Sequence, residues 1–464
     1  MSEYNGIDAS PPMARWMKDT LDRSFFHRLI PVLAARVSPE KTAEILRAQP
    51  LRKTVLDLPK IKSIVPDPGN PNGDKLLLLR VQHEADLTPE ARGYLRAHGT
   101  TFTIYTLKLN YDYWTADDIL HAILPEELLD GAPSGFAAVG HLAHLNLNDE
   151  YLPYKHVIGQ VIMDKNKSIR TVVNKLNSID TKFRFFKMEL IAGEPNYVVQ
   201  HSELDCRFIF DFTQVYWNSR LSAEHERLVS LFRPTEVVAD VFAGVGPFAL
   251  PAAKKGCGVL ANDLNPSSYK YLQANIQDNK VTDLVRPSCE DGRDFIRNVV
   301  WEVLDSPLAP YTPRLSRSEE RARKKAKLAN TPYPEEEADT SSRSVPRNRI
   351  AHFVMNLPDS AITFLDAFRG ILKHPRGCDS VAAAAAVAYA EMPMVHCHCF
   401  TREMVQESAE RDIRQRVGEQ LGRALGADDE VSLHLVRSVA PNKDMYCISF
   451  RLPRDVAFDL VTSE

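Results

Sequence analysis

Cysteine is scarce in this chain: seven in 464 residues, at positions 206, 257, 289, 378, 397, 399 and 447. That number is odd and thinly spread, which excludes a disulfide framework and points to free thiols in a reducing compartment. Long apolar runs are missing as well. None approaches the roughly 20 residues that a membrane-spanning helix needs, so no membrane partner is expected. Nor is there an excess of positive charge, with 57 basic against 61 acidic residues and a formal net charge of −4. Binding to nucleic acid, if it occurs, must rest on a local patch rather than on the overall field. The opening "MSEYNGIDASPP" carries Glu3 and Asp8 before its first basic residue, Arg15. That is a poor transit peptide, and the expected location is cytoplasm and nucleus, with a mitochondrial pool left open.

What is present is a soluble composition, 44% hydrophobic and 25% charged, over a length that exceeds one hydrophobic core. From Ser24 to Arg47 apolar residues recur at helical spacing, with Ser38 and Pro39 placed as N-cap and first-turn proline. "PDPGNPNG" reads as a loop before the strand "KLLLLRV". From Gly135 the texture changes to short β-like runs, "GFAAVGHLAHLNL", "HVIGQVIMDKN", "IRTVVNKL" and "CRFIFDF". Between Asp164 and Lys187 lie seven basic and two acidic residues, a local patch that includes Lys165, Lys167, Arg170, Lys182 and Arg184. From Leu221 strands and helices alternate, "EVVADVFA", "GVLAND", "LVRPSCED", "HFVMNLP" and "MVHCHCF", as in βαβ units with a mostly parallel sheet. "VSLHLVRSVA" and "MYCISFRL" then read as an antiparallel edge hairpin. Asp305 to Arg349 breaks the rhythm: rich in Pro, Ser, Glu, Arg and Lys, it reads as a disordered insertion. Its "RARKKAK" is either a solvated loop or a nuclear-localisation or RNA-binding tract. The expected fold is α/β in three parts: an N-terminal accessory domain (1–134), a mixed α/β middle domain (135–216) and a Rossmann-type domain (217–464) holding the insertion at 305–349.

The chemistry concentrates in "ADVFAGVGPFALPAAKKGCGVLANDLNP". Gly244, Gly246 and Ala249 fit G-x-G-x-x-A directly after a strand, and Asp263 follows at the next strand's tip. Alone, the pattern serves NAD and S-adenosylmethionine equally. Three features favour the second. Asp240 precedes the glycines, where a carboxylate would repel a pyrophosphate and attract a cationic methionine moiety. The third strand ends in "CEDGRDF", so that Glu290 or Asp291 reaches an adenine edge. "NLP" (Asn356 to Pro358) follows the fourth strand, where methyltransferases acting on nitrogen place a similar motif. The cofactor set is thus Asp240, Phe242, Gly244 and Gly246 from the first turn, Asp263, Leu264 and Asn265 from the second, and Glu290, Asp291, Gly292 and Asn356 beyond. Plainer readings stand beside these: Asp291 as a helix N-cap and Asn356 as a turn residue.

Several separated motifs agree in order and spacing with one family. "VVADVFAGVGPFAL", "ANDLNPSSYKYLQANIQDNKV", "VMNLP", "RSVAPN", "FFKMELIAGE" and "VYWNSRLSAEHER" resemble the archaeal and eukaryotic tRNA (guanine-37 N1)-methyltransferases, a fungal-like member among them. The resemblance runs from about Gly135 to Leu452. It implies a class I Rossmann-type methyltransferase domain gripping the anticodon loop together with the middle domain, an N-terminal domain meeting the outer corner of tRNA, and S-adenosylmethionine as cofactor. It implies Glu224 as general base, Arg184 stabilising developing charge on O6, Asn356 orienting the base, and Tyr216 in the substrate site. Tyr216 or Trp217 would stack the extruded base. Lys165, Lys167, Arg170 and Lys182 would meet phosphates. The chain departs from the pattern in lacking a second proline after "NLP" and in carrying Asn218 and Ser219 where relatives have Ser-Pro. Glu224 also reads as a first-turn helix carboxylate, and Arg184 as a phosphate contact.

"HCHCF" (His396 to Phe400) has metal-ligand residue types, but alternation along a strand points the histidines to one face and the cysteines to the other. No metal is expected, and nothing demands more than a monomer. Two other readings remain, a wybutosine-pathway aminocarboxypropyl transferase using the same cofactor, and a non-catalytic RNA-binding module.

Overall fold

The computed structural model describes residues 7–179, 186–311, 347–373 and 379–460. The chain divides into two compact units, one of Met1–Leu176 with Met188–Pro195, the other of Asn177–Lys187 with Asn196–Glu464. The division therefore does not fall at 134 or 216. One continuous core explains this in the first unit, because Val32, Leu76, Leu107 and Ile119 pack with Ala143, Val157, Val172 and Ile191. Residues on both sides of position 134 are buried against each other.

The first unit is built on a sheet in the order β2-β3-β1-β4, made of β1 (His27–Val37), β2 (Ile64–Asp67), β3 (Asn70–Leu78) and β4 (Thr101–Asn110). Here the helical reading of Ser24 to Arg47 is overturned. Along β1, Ile30, Val32 and Ala34 enter one core and Leu33, Ala35 and Val37 another. A strand covered on both faces is apolar throughout, and a continuous apolar run cannot be told from a buried helix by periodicity alone. Only α1 (Thr42–Arg47), after the proline-led turn Pro39–Lys41, is helical. "PDPGNPNG" is a β2–β3 hairpin rather than a plain loop. Helices α2 (Pro89–Ala97) and α3 (Ala116–Ile123) cover the two faces.

A second sheet of β5 (Ala137–Val139), β6 (Leu142–Leu145), β7 (Thr171–Ile179) and β8 (Phe186–Gly193) joins the same core. "HVIGQVIMDKN", expected to be β-like, is the helix α4 (Lys155–Lys165). Its Val157, Ile158, Val161 and Ile162 are buried at helical spacing, so packing outweighs the modest β preference of branched residues. Gly159 permits the approach, since a Cβ there would lie 3.0 Å from Ile191 Cγ1.

The second unit begins with a hairpin, β9 (Val198–Glu203) and β10 (Cys206–Asp211), and the helix α5 (Ser222–Leu231). Seven strands follow in the order β13-β12-β11-β14-β15-β17-β16: β11 (Val237–Asp240), β12 (Gly258–Asn262), β13 (Val285–Ser288), β14 (His352–Met355), β15 (Met394–Thr401), β16 (Ser432–Ala440) and β17 (Lys443–Arg451). The first five are parallel, and β17 and β16 form the expected antiparallel edge hairpin. Helices α6 (Ala249–Lys255), α7 (Pro266–Asp278) and α8 (Gly292–Asp305) carry the crossovers. Strand order reverses at β11, between β12 and β14, and in such sheets ligands bind beyond the carboxyl ends of the strands at that point. The expected disordered insertion lies largely outside the described residues. Its margins are packed: Leu308 bridges to Arg347 and both are buried.

Candidate active site

Strand β11 is buried at every position and delivers Asp240 to the sheet's carboxyl edge. The chain then turns through Gly244 (φ 56°) and Gly246 (φ 102°), values that L side chains rarely adopt. A Cβ on Gly246 would lie 2.9 Å from Leu250 Cγ, whereas one on Gly244 would meet nothing within 4 Å. Gly246 therefore serves packing, and Gly244 leaves open space over the turn. Asp263 fixes the turn by accepting from the Gly244 N–H (2.8 Å) and the Asn265 N–H (2.9 Å). Asn265 caps α7 through the Ser267 N–H and donates to the Gln214 carbonyl. Leu264 stands exposed between them.

Asp240 is wholly buried, and neither carboxylate oxygen has a hydrogen-bond partner of good geometry. Burial pushes it up to about 8, with the Asp263 carboxylate adding to the rise. A buried charge without a partner is costly, so the unliganded group keeps its proton at neutral pH. The amide oxygen of Asn356 is likewise buried and unpartnered. On the third strand Glu290 is half-buried and its carboxyl is raised by burial, while Asp291 caps α8 by accepting from the Arg293 N–H (2.8 Å). Gly292 admits Phe242, because a Cβ there would lie 2.8 Å from Phe242 Cε1. Sequence reasoning missed Asn262, whose side chain ties the three loops together. It donates to the Val241 and Glu290 carbonyls and accepts from Ser288 Oγ and the Glu290 N–H. Such a residue is polar, at a strand end and fully buried, and only the last property, invisible in sequence, distinguishes it.

Glu224 lies in the first turn of α5 but bonds side chains rather than backbone. Its Oε1 accepts from Arg227 Nη2 (2.7 Å) and His398 Nε2 (2.8 Å), and its Oε2 from Arg227 Nε (2.6 Å). His434 Nε2 stands 3.7 Å from Oε2. Burial would raise this carboxyl, but Arg227 and His398 outweigh it and hold it at about 2. His398 is fully buried; burial would lower it, yet Cys447 and Glu224 together raise it to about 10. The helix is itself anchored: His225 Nδ1 lies 2.6 Å from Glu203 Oε1 of β9.

The sheet brings these partners into line. His398 on β15 pairs with Cys447 on β17, and Cys447 pairs with His434 on β16; directly paired residues share a face. On the other side Met355, the last residue of β14, pairs with Cys397, and beyond it the Phe400 N–H donates to the Pro358 carbonyl (3.0 Å), which ties the loop after Asn356 to β15. The expected alternation in "HCHCF" holds, for Cys397 and Cys399 enter the other core. The fold does what spacing could not foresee, however. Glu224, His398 and Cys447 place ligand-type atoms within 4.8 Å of one another. Because both carboxylate oxygens already accept from Arg227, this group is an ion-pair cluster whose charge is met by the protein.

Of the remaining residues expected here, Tyr216 is 47% exposed and Trp217 is buried against Phe208 and Phe210. Only Tyr216 is free to stack. Asn218, in place of the family's serine, caps the turn Ser219–Leu221 and donates to the Tyr216 hydroxyl (3.4 Å). In the first unit Lys167 and Arg170 are exposed. Lys165 is half-buried; its ammonium donates to the Tyr111 carbonyl and lies 3.7 Å from that ring's centroid. Lys182 and Arg184 lie outside the described residues.

Comparison with known proteins follows this geometry. Residues 116–196 match the TYW2 N-terminal domain and residues 199–305 the TRM5/TYW2 methyltransferase domain. The chain is 57% identical over 460 residues to the tRNA (guanine(37)-N(1))-methyltransferase of Coprinopsis cinerea, covering 97% of this chain and 98% of that one. It is 43% identical over 448 residues to the protein of the same name from Schizosaccharomyces pombe, 94% of each. In fold it is similar to aTrm5 in its complex with tRNALeu (TM-score 0.57, 19% identity, 91% of this chain and 100% of that one). It is also similar to Trm5b from Pyrococcus abyssi (TM-score 0.55, 22% identity, 90% and 99%).

Proposed function

This chain belongs to the tRNA (guanine(37)-N1)-methyltransferase family, and we propose that Asp240 and the glycine turn hold its cofactor while Glu224 takes the guanine proton. The enzyme methylates N1 of guanosine 37, the nucleotide 3′ of the anticodon, with S-adenosylmethionine as donor. The observation that carries the reading is Asp240, a wholly buried carboxylate with no partner beside a glycine turn. An arriving cation satisfies it, and an S-adenosylmethionine has one at its methionine end. When bound, that cofactor supplies an electrophilic methyl group on a sulfonium.

The residues fit this group. Gly244 keeps the turn open, Asp263 stands at the tip of β12 where a ribose hydroxyl pair would be met, and Glu290 lies at the following strand end for an adenine edge. Asp291, engaged as a helix cap, contributes through the loop it fixes.

Guanine N1 carries a proton at neutral pH, so its lone pair becomes available only as that proton leaves. A carboxylate acceptor within reach is the requirement, and Glu224 is the candidate. As the proton leaves, negative charge grows on O6, where Arg184 would stabilise it. Asn356, just past the end of β14 and with an amide oxygen that has no partner among the described residues, would accept from a base N–H and orient the ring. Tyr216 would stack the extruded base, and the exposed Lys167 and Arg170 would meet phosphates.

The test is an in-vitro assay with methyl-labelled S-adenosylmethionine and unmodified tRNA transcripts carrying guanosine or adenosine at position 37. Label at N1 of guanosine, with none on the adenosine transcript, is the expected result. A mass gain of an aminocarboxypropyl group on a tricyclic precursor would move the chain to the wybutosine branch, and absence of any product with absence of cofactor binding to the RNA-binding module. The same reading puts the enzyme in cytoplasm and nucleus with a mitochondrial pool, which cell fractionation tests.

A further inference from the structure

Each methyl transfer leaves a proton that must reach water, and the acceptor assigned above is buried, with 4% of its surface exposed. We infer that His434 is the proton exit of the active site: Glu224 passes the guanine N1 proton to His434 Nε2, and His434 releases one from Nδ1 to solvent. The inference rests on the assignment of Glu224 as proton acceptor.

Among the described residues three side chains surround the Glu224 carboxylate, and their chemistry separates them. Arg227 holds both oxygens but has no acceptor atom. His398 points its Nε2 at Oε1 and is wholly buried, so a proton handed to it would gain no route to water. His434 alone combines an imidazole acceptor with an opening to solvent. Its side chain is 48% exposed, on the edge strand β16, and Nε2 stands 3.7 Å from Glu224 Oε2. That separation is slightly beyond a hydrogen bond and too short to admit a water, so a small rotation of a half-exposed ring completes the link.

The sheet supplies the track. His398, Cys447 and His434 form one row across β15, β17 and β16, from the buried interior of the sheet to its solvent edge. The groups that face His434 are Glu224 and Arg227 on α5, Cys447 on β17 and His398 on β15. Burial, then the charges of Arg227 and His398, lower His434 from its ordinary value and outweigh Glu224, which leaves it neutral and able to accept at physiological pH. Glu224, held at about 2, cannot keep a proton that an imidazole is placed to take. The step balances: the N1–H bond breaks as the N1–methyl bond forms, the proton moves through one carboxylate oxygen to Nε2, and the Nδ1 proton goes to water.

The experiment is single-turnover methyl transfer by the full-length enzyme on a guanosine-37 transcript across the neutral pH range, with cofactor binding followed by calorimetry. His434→Gln keeps a polar side chain of similar size without a titrating ring. The rate is expected to fall roughly 100-fold, the lower end of the usual range for a proton-transfer group, with cofactor binding unchanged. In His434→Ala added imidazole should restore the rate in proportion to its concentration. A wild-type rate for His434→Gln, or a loss in His434→Ala that no imidazole concentration repairs, would overturn the proposal. Glu224→Gln in the same assay is expected to lose activity without rescue by imidazole. A wild-type rate there would instead remove the Glu224 assignment itself.

Discussion

Two buried carboxylates of the second unit, Asp240 at the end of β11 and Glu224 in the first turn of α5, have been given opposite surroundings. Neither Asp240 oxygen has a hydrogen bond of good geometry among the described residues, and burial pushes the group up to about 8; Glu224 accepts three hydrogen bonds from Arg227 and His398 and is held at about 2. The first is a place left for a ligand's charge, the second a charge whose orientation the protein has already fixed. Acid–base roles follow from environments that drive like groups apart, and in the function proposed above the difference separates cofactor binding from proton transfer.

The sharpest way to break the contrast is to remove the satisfied member. Glu224→Gln should lower single-turnover methyl transfer by roughly 100- to 10,000-fold, and Glu224→Ala, which strands Arg227 and His398, should cost about 3 kcal/mol in urea denaturation. If activity fell only in step with stability, the group would be structural.

Acidity offers the next test, because the two groups predict opposite slopes. The Glu224 carboxyl is lower in the folded chain than its ordinary 4.5, so its stabilisation is present above pH 4.5 and lost as pH falls toward 2, about 3 kcal/mol in all. Asp240 is higher in the folded chain than its ordinary 3.8. Its contribution is present below that value and is lost as pH rises from 3.8 to about 8, so the unliganded enzyme weakens across that window and changes no further above it. Urea midpoints against pH should therefore flatten below pH 4.5 for Glu224→Gln and between 3.8 and about 8 for Asp240→Asn.

Cofactor affinity sharpens the other half. Asp240→Asn removes the charge a cation would meet and should weaken S-adenosylmethionine about 10- to 100-fold by calorimetry, about 1.4 kcal/mol for each tenfold. In the wild type, binding should release protons below about pH 8, visible as a buffer-dependent heat. The smallest effect is expected at Tyr216. Tyr216→Ala should raise the KM for tRNA by about tenfold through lost stacking, while Tyr216→Phe and cofactor affinity change little.

The cofactor turn was legible because its requirements are local. Positive φ at Gly244 and Gly246, a carboxylate at each strand tip and a cap at the start of α7 or α8 each depend on a few neighbouring residues. Trp217 illustrates the limit. Beside Tyr216 in sequence and equally aromatic, it is core because Phe208 and Phe210 lie against it.

By itself the sequence determined the alternation of strands and helices in the second unit, the glycine turn, and the carboxylates that serve it, since these follow from backbone sterics and from periods of a few residues. Only the tertiary structure decided that Ser24 to Arg47 contains a strand, that "HVIGQVIMDKN" is a helix, and that one core spans residue 134. It alone decided that Glu224 would meet His398 and His434 over a row completed by Cys447. Register between strands far apart in the chain sets which side chains share a face, and burial on that face sets their charge. Neither is written in any local stretch of residues.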